Sequence, residues 1–294
     1  MLKVKEIRLM TRNEIIEVLK NGVSEIFNDA IVDVTVYKKN NAQKKIGISI
    51  RYNKHNFEVA PIIYIDDIIE DIEDNAISVC DGVEMIANIY DKAKADIRLS
   101  INRDMILENL KCVVINYEMN EEYLQTVPHR RYLDLAIMYR FTVTIDNIME
   151  CHGSIAVSNE IMTQFNLSLG ELDYAARNNI YEEDFRVLSL CDLIGESSSD
   201  VLPDDMFLNV LTDSAGCYGA RTILNKKLLA SFGMDLYIIP SSIYEIIVFP
   251  ANPFYKDVRE TIREVNGTLD PEAILSDNLY YYNHNKNCIT IVTD

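Results

Sequence analysis

The run LDLAIMYRFTVTI at 133–145 sets Leu133, Leu135, Ile137, Tyr139, Phe141, Val143 and Ile145 on every second position. A helix would scatter these residues around its circumference, whereas a strand gathers them on one side. The segment is therefore expected to be the longest strand of a sheet, with Asp134, Ala136, Met138, Arg140, Thr142 and Thr144 on its second side. Such a strand needs neighbours, and the chain supplies them in pairs. Val32, Val34 and Val36 alternate in one segment and Ile46, Ile48, Ile50 and Tyr52 in the next, joined by the polar, basic turn KKNNAQKK at 38–45. Further short apolar runs are FEVAPIIYI at 57–65, CVVINY at 111–116, GSIAVS at 153–158 and MFLNVLT at 206–212. LYII and YEIIVF flank Pro240, Ser241 and Ser242, and a last pair lies near 279–283 and 288–292.

Helical spacing separates these runs. Ile15, Ile16, Leu19, Val23 and Phe27 form one apolar stripe, and Ile65, Ile68, Ile69 and Ile72 form another within an acidic segment. Helices are also expected over 81–95, after the capping box of Ser168 and Glu171, from Ala220 to Phe232 with Gly233 as its stop, and over 254–265. Strands grouped in hairpins between helices define an α+β fold, with mostly antiparallel sheets covered by helices. Two packed subregions are expected, an N-terminal one at 1–150 and a C-terminal one at 151–294. The loop SSSDVLPDD at 197–205 is a second candidate boundary, and one continuous domain is the alternative.

With 294 residues, 48% hydrophobic, the chain is long enough for a substantial core. It lacks an uninterrupted apolar stretch of the ~18 residues a membrane span requires, and its first residues lack the apolar core of a secretion signal. A cytoplasmic protein with no membrane contact is expected. Its six cysteines include no CxxC pair, which points away from structural zinc and towards free thiols in a reducing compartment. The net charge of −18 opposes attraction to nucleic acid. Residues 1–60 depart from this balance, with 11 basic and 7 acidic side chains. Contact with a polyanion would therefore fall to Lys38, Lys39, Lys44 and Lys45 in the first hairpin.

The familiar reaction motifs are missing: GxGxxG, the phosphate loop, HExxH and GxSxG do not occur. Ser276-Asp277-Asn278 spells SDN, but SxxK and KTG do not accompany it, so the triplet reads as a turn or cap. Asp66, Asp67, Glu70 and Asp71 have i, i+4 spacing that could hold a hard cation, yet the same pattern describes a solvated helix face. Cys151 and His152 are adjacent, and adjacent strand residues face opposite ways. Neither a cofactor nor a metal is expected. Ser241, Ser242 and Glu245 sit beside a tight turn where hydroxyls could meet a ligand. Asp134 and Arg140, about 20 Å apart along one strand, would each need a separate partner.

VPHRRYLDLAIMYRF at 127–141, FNLSLGELDYAARNNI at 165–180, FLNVLTDSAGCYGARTIL at 207–224, DLYIIPSSIYEIIVFP at 235–250 and ILSDNLYYYN at 274–283 together resemble an uncharacterised bacterial domain family of unknown function. The resemblance spans most of the chain. The DLAIMYR strand and the 165–180 helix are also similar to a second, shorter uncharacterised bacterial family. The resemblance implies that Asp134, Arg140, Ser241, Ser242 and Glu245 mark a groove, and it brings no assigned activity. Tyr244 stands where the resemblance implies histidine in relatives. The expectation is a non-catalytic interaction or regulatory protein that binds a protein or small ligand. Two alternatives remain: an enzyme whose site assembles around Arg140, Ser241 and Ser242, and a nucleic-acid contact through the four lysines.

Overall fold

A computed structural model describes residues 10–52, 60–94, 101–144, 152–189, 208–251 and 258–293. The described chain is α+β with antiparallel sheets, and it divides into two compact units. Unit 1 comprises 1–39, 44–100 and 145–151; unit 2 comprises 40–43, 101–144 and 152–294.

Unit 1 opens with helix α1, Arg12–Ile26, started by a capping box in which Thr11 and Glu14 each take the other's backbone N–H. Its stripe of Ile15, Leu19 and Val23 is buried. Strands β1 (Ile31–Lys38), β2 (Lys44–Arg51) and β3 (Ile62–Tyr64) form a sheet in that order. Helices α2 (Asp66–Glu73) and α3 (Val79–Lys94) complete the unit. Val32, Ile48, Ile50 and Ile63 from one sheet face pack with Leu19, Ile69, Ile86 and Tyr90 from the helices. Each such side chain stabilises the fold by roughly 1.5–3 kcal/mol before chain entropy is counted against it. The core takes one side of the sheet, so the alternate residues of every strand face the other way.

The turn of the first hairpin departs from the solvated loop that its composition suggests. Asn40–Ala42 is a single 3-10 turn, with Asn41 and Ala42 at φ 54° and 58°. Asn41 is buried and belongs with unit 2. Its amide donates to the carbonyls of Pro271 and Ile274, both at 2.7 Å, and its backbone N–H donates to Asn120 Oδ1 at 2.8 Å. Asparagine tolerates the left-handed conformation, and its short amide can replace the backbone partners that burial removes.

In unit 2, β4 (Leu110–Asn116), β5 (His129–Tyr132) and β7 (His152–Ala156) all pair with the central β6 (Leu135–Thr144). A six-stranded sheet runs β13-β12-β10-β11-β9-β8. Its strands are β8 (Phe185–Ser189), β9 (Asn209–Asp213), β10 (Leu236–Ile239), β11 (Glu245–Pro250), β12 (Tyr280–Asn283) and β13 (Cys288–Ile291). The helices of this unit include α4 (Arg103–Glu108), α5 (Glu121–Leu124), α6 (Asn159–Gln164) and α7 (Leu169–Asn179). They are followed by α8 (Lys226–Ala230) and α9 (Val258–Asn266).

Central strand β6 is covered on both faces. Leu135 joins Val114, Leu211, Ile238, Ile246 and Tyr280, while Ala136 and Met138 join Val113, Ile115, Leu124 and Val127. The helix expected over 220–232 is broken into a 3-10 segment, Gly219–Leu224, and α8, with Asn225 capping the latter by accepting from Leu228 N. Gly219 explains the tight first part, because a Cβ there would collide with the Tyr244 carbonyl.

Cys112 on β4 is 2% exposed, and burial pushes its thiol up to about 12 from an unfolded value of 9.0, with Arg177 opposing the shift. Because the folded thiol holds its proton longer, this group leaves stability unchanged below pH 9 and lowers it as pH climbs from 9 towards 12. Iodoacetamide followed by peptide mapping at pH 8.5 should label the exposed Cys80 and Cys217 in the native chain and Cys112 only after unfolding. Native labelling of Cys112 at the rate of Cys217 would contradict this packing.

Candidate functional site

The face of the unit 1 sheet turned away from its helices carries Asp33, Thr35 and Tyr37 on β1, Lys45, Gly47, Ser49 and Arg51 on β2, and Ile62 and Tyr64 on β3. Register places Thr35 and Tyr64 on either side of Gly47, and Asp33 and Ile62 on either side of Ser49. Small residues thus occupy the middle of the sheet and longer ones surround them. A Cβ on Gly47 would stand 2.6 Å from Ile62 Cγ2 and 2.7 Å from the Tyr37 ring, so these neighbours lean over the space the glycine leaves. Tyr37 and Tyr64 meet edge to face with centroids 6.3 Å apart, and the Lys39 ammonium lies 4.5 Å from the Tyr64 ring centroid.

The result is a hollow of about 370 Å³ lined by Thr35, Ser49, Tyr37, Ile62, Arg51 and Asp33, with Lys20 of α1 also contributing. Arg51 and Asp33 form an ion pair, both side chains 44% exposed. Two cations and one carboxylate therefore share the lining. The volume lies in the usual range for small-molecule sites, about 300–1,000 Å³.

The lysines expected to form a basic patch are split by strand parity. Lys38 and Lys44 are register partners, whereas Lys45 is opposite Tyr37 and lies on the hollow's side of the sheet. Lys39 is held over Tyr64, to whose hydroxyl it donates at 3.3 Å. On α2, Asp66 accepts from Ile46 N at 2.8 Å and pairs with Arg12 at 3.4 Å. Asp67 and Glu70 are exposed. Cys151, the partner of His152 in sequence, lies outside the described residues, as does 197–205.

The five residues proposed for a groove all fall in unit 2, and none lines the hollow. Asp134 lies in the two-residue turn between β5 and β6, one position before the strand expected to contain it. The preceding Leu133 has φ 58°, a conformation disfavoured for a branched side chain. Its packing against the main core and the anchoring of Asp134 hold it there. Asp134 accepts from Ser276 Oγ and Tyr280 OH, each at 2.5 Å, and from Asn278 Nδ2 at 2.9 Å. The SDN triplet is thus a clamp on this carboxylate. Burial, reinforced by Asp134, raises the Tyr280 pKa, so the phenol remains a donor.

Arg140 is engaged elsewhere. Its Nε donates to Ser154 Oγ at 2.8 Å and its NH2 to the Ser154 carbonyl at 2.6 Å, with the guanidinium 5.6 Å from the Tyr218 ring. Ser242 donates to Glu245 Oε1 at 3.0 Å and Ser241 approaches the same oxygen at 3.5 Å, so these three do come together. The same Ser242 hydroxyl accepts from Tyr244 N, closing the turn. Tyr244 is 41% exposed, and partial burial followed by the charges of Glu272 and Asp270 raises its pKa.

Sequence reasoning missed the most buried charge among the described residues. Arg221 is 1% exposed and pairs with Asp213 at 2.9 Å and with Glu183, whose carboxylate also lies 3.7 Å from Lys111. Asp213 Oδ1 further accepts from Cys217 N at 2.9 Å. The string DSAGCYGAR held both Asp213 and Arg221, but nothing in its spacing revealed that the loop folds back between them. The hollow had a legible component, since alternation put Asp33, Thr35 and Tyr37 on one side, but no local signal marked it as concave.

An α+β chain of two compact units, with a polar hollow on a three-stranded sheet, is the class these features define. Residues 12–284 match the model of DUF5688, a family of unknown function, and the chain belongs to that family. No curated protein and no solved structure matches it.

Removing the Arg221 cation should strand the Asp213 and Glu183 carboxylates. Arg221→Met is expected to cost about 3–5 kcal/mol in urea unfolding, and a loss below about 1 kcal/mol would show that the network is dispensable. Asp134→Ala should lose about 2–3 kcal/mol because the Ser276 and Tyr280 hydroxyls are left without their acceptor, and Asp134→Asn, which keeps an acceptor oxygen, should lose less. Equal losses for the two variants would contradict the clamp.

Proposed function

We propose that the chain is a cytosolic, non-catalytic binding protein, an interaction or regulatory module that takes a small ligand in the hollow of the unit 1 sheet. The observation that carries this reading is the hollow itself: a metabolite-sized space lined by hydroxyls, charged groups and a few apolar side chains. The polar residues of unit 2 support it from the other direction. Asp134, Arg140 and Ser242 each make hydrogen bonds that close a turn or join two segments. A nucleophile would instead need its hydroxyl beside a base that can take the proton, and Ser242 points at a carboxylate with no imidazole between them. The four described cysteines are free thiols, in keeping with a reducing compartment.

Native mass spectrometry of the chain purified from its own host tests the proposal. A retained small mass is expected on the natural chain and should disappear from Thr35→Trp, which fills the hollow from the exposed side of β1. A small mass that persists in the filled variant, or the absence of any retained small molecule, would overturn the reading. So would retention of a macromolecule alone.

A further inference from the structure

The charges around the hollow restrict what can enter it. Of the groups lining it, Lys20 and Arg51 are cationic and Asp33 is the one carboxylate, so the lining is positive within a chain whose net charge is −18. Asp33 engages Arg51 through NH2. A guanidinium has five N–H donors in a planar fork, so one carboxylate contact leaves others to meet a second anion. Thr35, Ser49 and Tyr37 add three hydroxyls, each able to donate to an anionic oxygen or accept from a ligand hydroxyl. Ile62, Val34 and Ala60 add apolar surface to the lining.

Resting on the binding reading above, we infer that the ligand of this hollow is a small organic anion: one phosphate or carboxylate group, met by Arg51 and Lys20, on an aromatic or aliphatic body that packs against Ile62 and the Tyr37 ring. Asp33 sets the upper limit on ligand charge. A strand of nucleic acid would bring successive phosphates past this carboxylate, whereas a single anionic group can be met by Arg51 and Lys20 alone. The dimensions agree, since an open hollow of about 370 Å³ has room for a metabolite-sized body. Arg51 and Asp33 are both half-exposed, so replacing the arginine tests recognition without dismantling the sheet.

Phenyl phosphate, inorganic phosphate and phenol separate the elements of this proposal when each is titrated into isotope-labelled full-length chain and the amide resonances are followed by NMR. Phenyl phosphate is expected to shift the amides of Thr35, Ser49 and Arg51. Inorganic phosphate should bind at least tenfold more weakly, and phenol should not saturate. Arg51→Gln and Lys20→Gln should each weaken phenyl phosphate at least tenfold while leaving the melting temperature unchanged. If phenol shifts the same amides as readily and Arg51→Gln changes nothing, the hollow binds ligands but the anionic class is wrong. Equal affinity for inorganic and phenyl phosphate would overturn the apolar half of the recognition. If no probe moves these amides, the assignment of the ligand fails, and the small mass retained by the host-purified chain decides separately whether the hollow is a site at all.

Discussion

Unit 2 depends on charge buried with its compensation. A guanidinium taken out of water costs several kcal/mol unless its partners are in place, and Arg221 meets that cost with Asp213 and Glu183. Those carboxylates come from separate positions: Asp213 ends β9, and Glu183 precedes β8. Because β8 and β9 pair along their whole length, the ion network and the sheet register specify each other. The same carboxylate of Asp213 collects the N–H groups of Cys217 and Tyr218, which shapes the loop leading into the 3-10 segment. Asp134 does comparable work at the β5–β6 turn, where three donors from 276–280 converge on it. Polar groups in unit 2 therefore act as fasteners between segments distant in sequence.

Unit 1 is organised differently. Its core of Ile, Leu, Val and aromatic side chains lies on one side of a three-stranded sheet, and none of its described core members is charged. Burial of apolar surface alone orders the helices against the sheet. The charged and hydroxyl-bearing residues on the opposite face are then free of that task, and their geometry follows from strand parity and from the glycine at the centre. This division of labour is the physical reason to look for a ligand in unit 1: a polar group that holds the fold together cannot also be given up to a ligand without loss of stability.

Much of the fold was legible because it depends on short-range periodicity. The capping boxes at Thr11 and Ser168, the alternation of β1, β2 and β6, and the stripe of Ile68, Ile69 and Ile72 are local properties of the chain. What could not be read depends on long-range closure. Nothing near Asn41 in sequence announces Pro271 and Ile274, which its side chain reaches across more than two hundred residues. Likewise, Asp134 and Arg140 were visible as charged positions in an apolar run, but whether each served a ligand or another part of the chain was decided by Ser276 and Ser154. The hollow is an intermediate case. Its residues alternate visibly, yet its depth comes from placing Gly47 and Ser49 of one strand beside Ile62 of another.

The distribution of charge on unit 1 follows from the same separation of faces. The acidic run at 66–74 is confined to α2, whose Ile68 and Ile69 pack into the core, so most of its carboxylates are presented on the helical side of the sheet. The opposite face keeps Lys45, Arg51 and Asp33. An overall negative charge and a locally positive hollow are therefore compatible, because the two sets of charges lie on opposite sides of the sheet. The proposed preference for a small anion over a polymer rests on that arrangement, since the cations of the lining would act at contact distance on a group that enters the hollow.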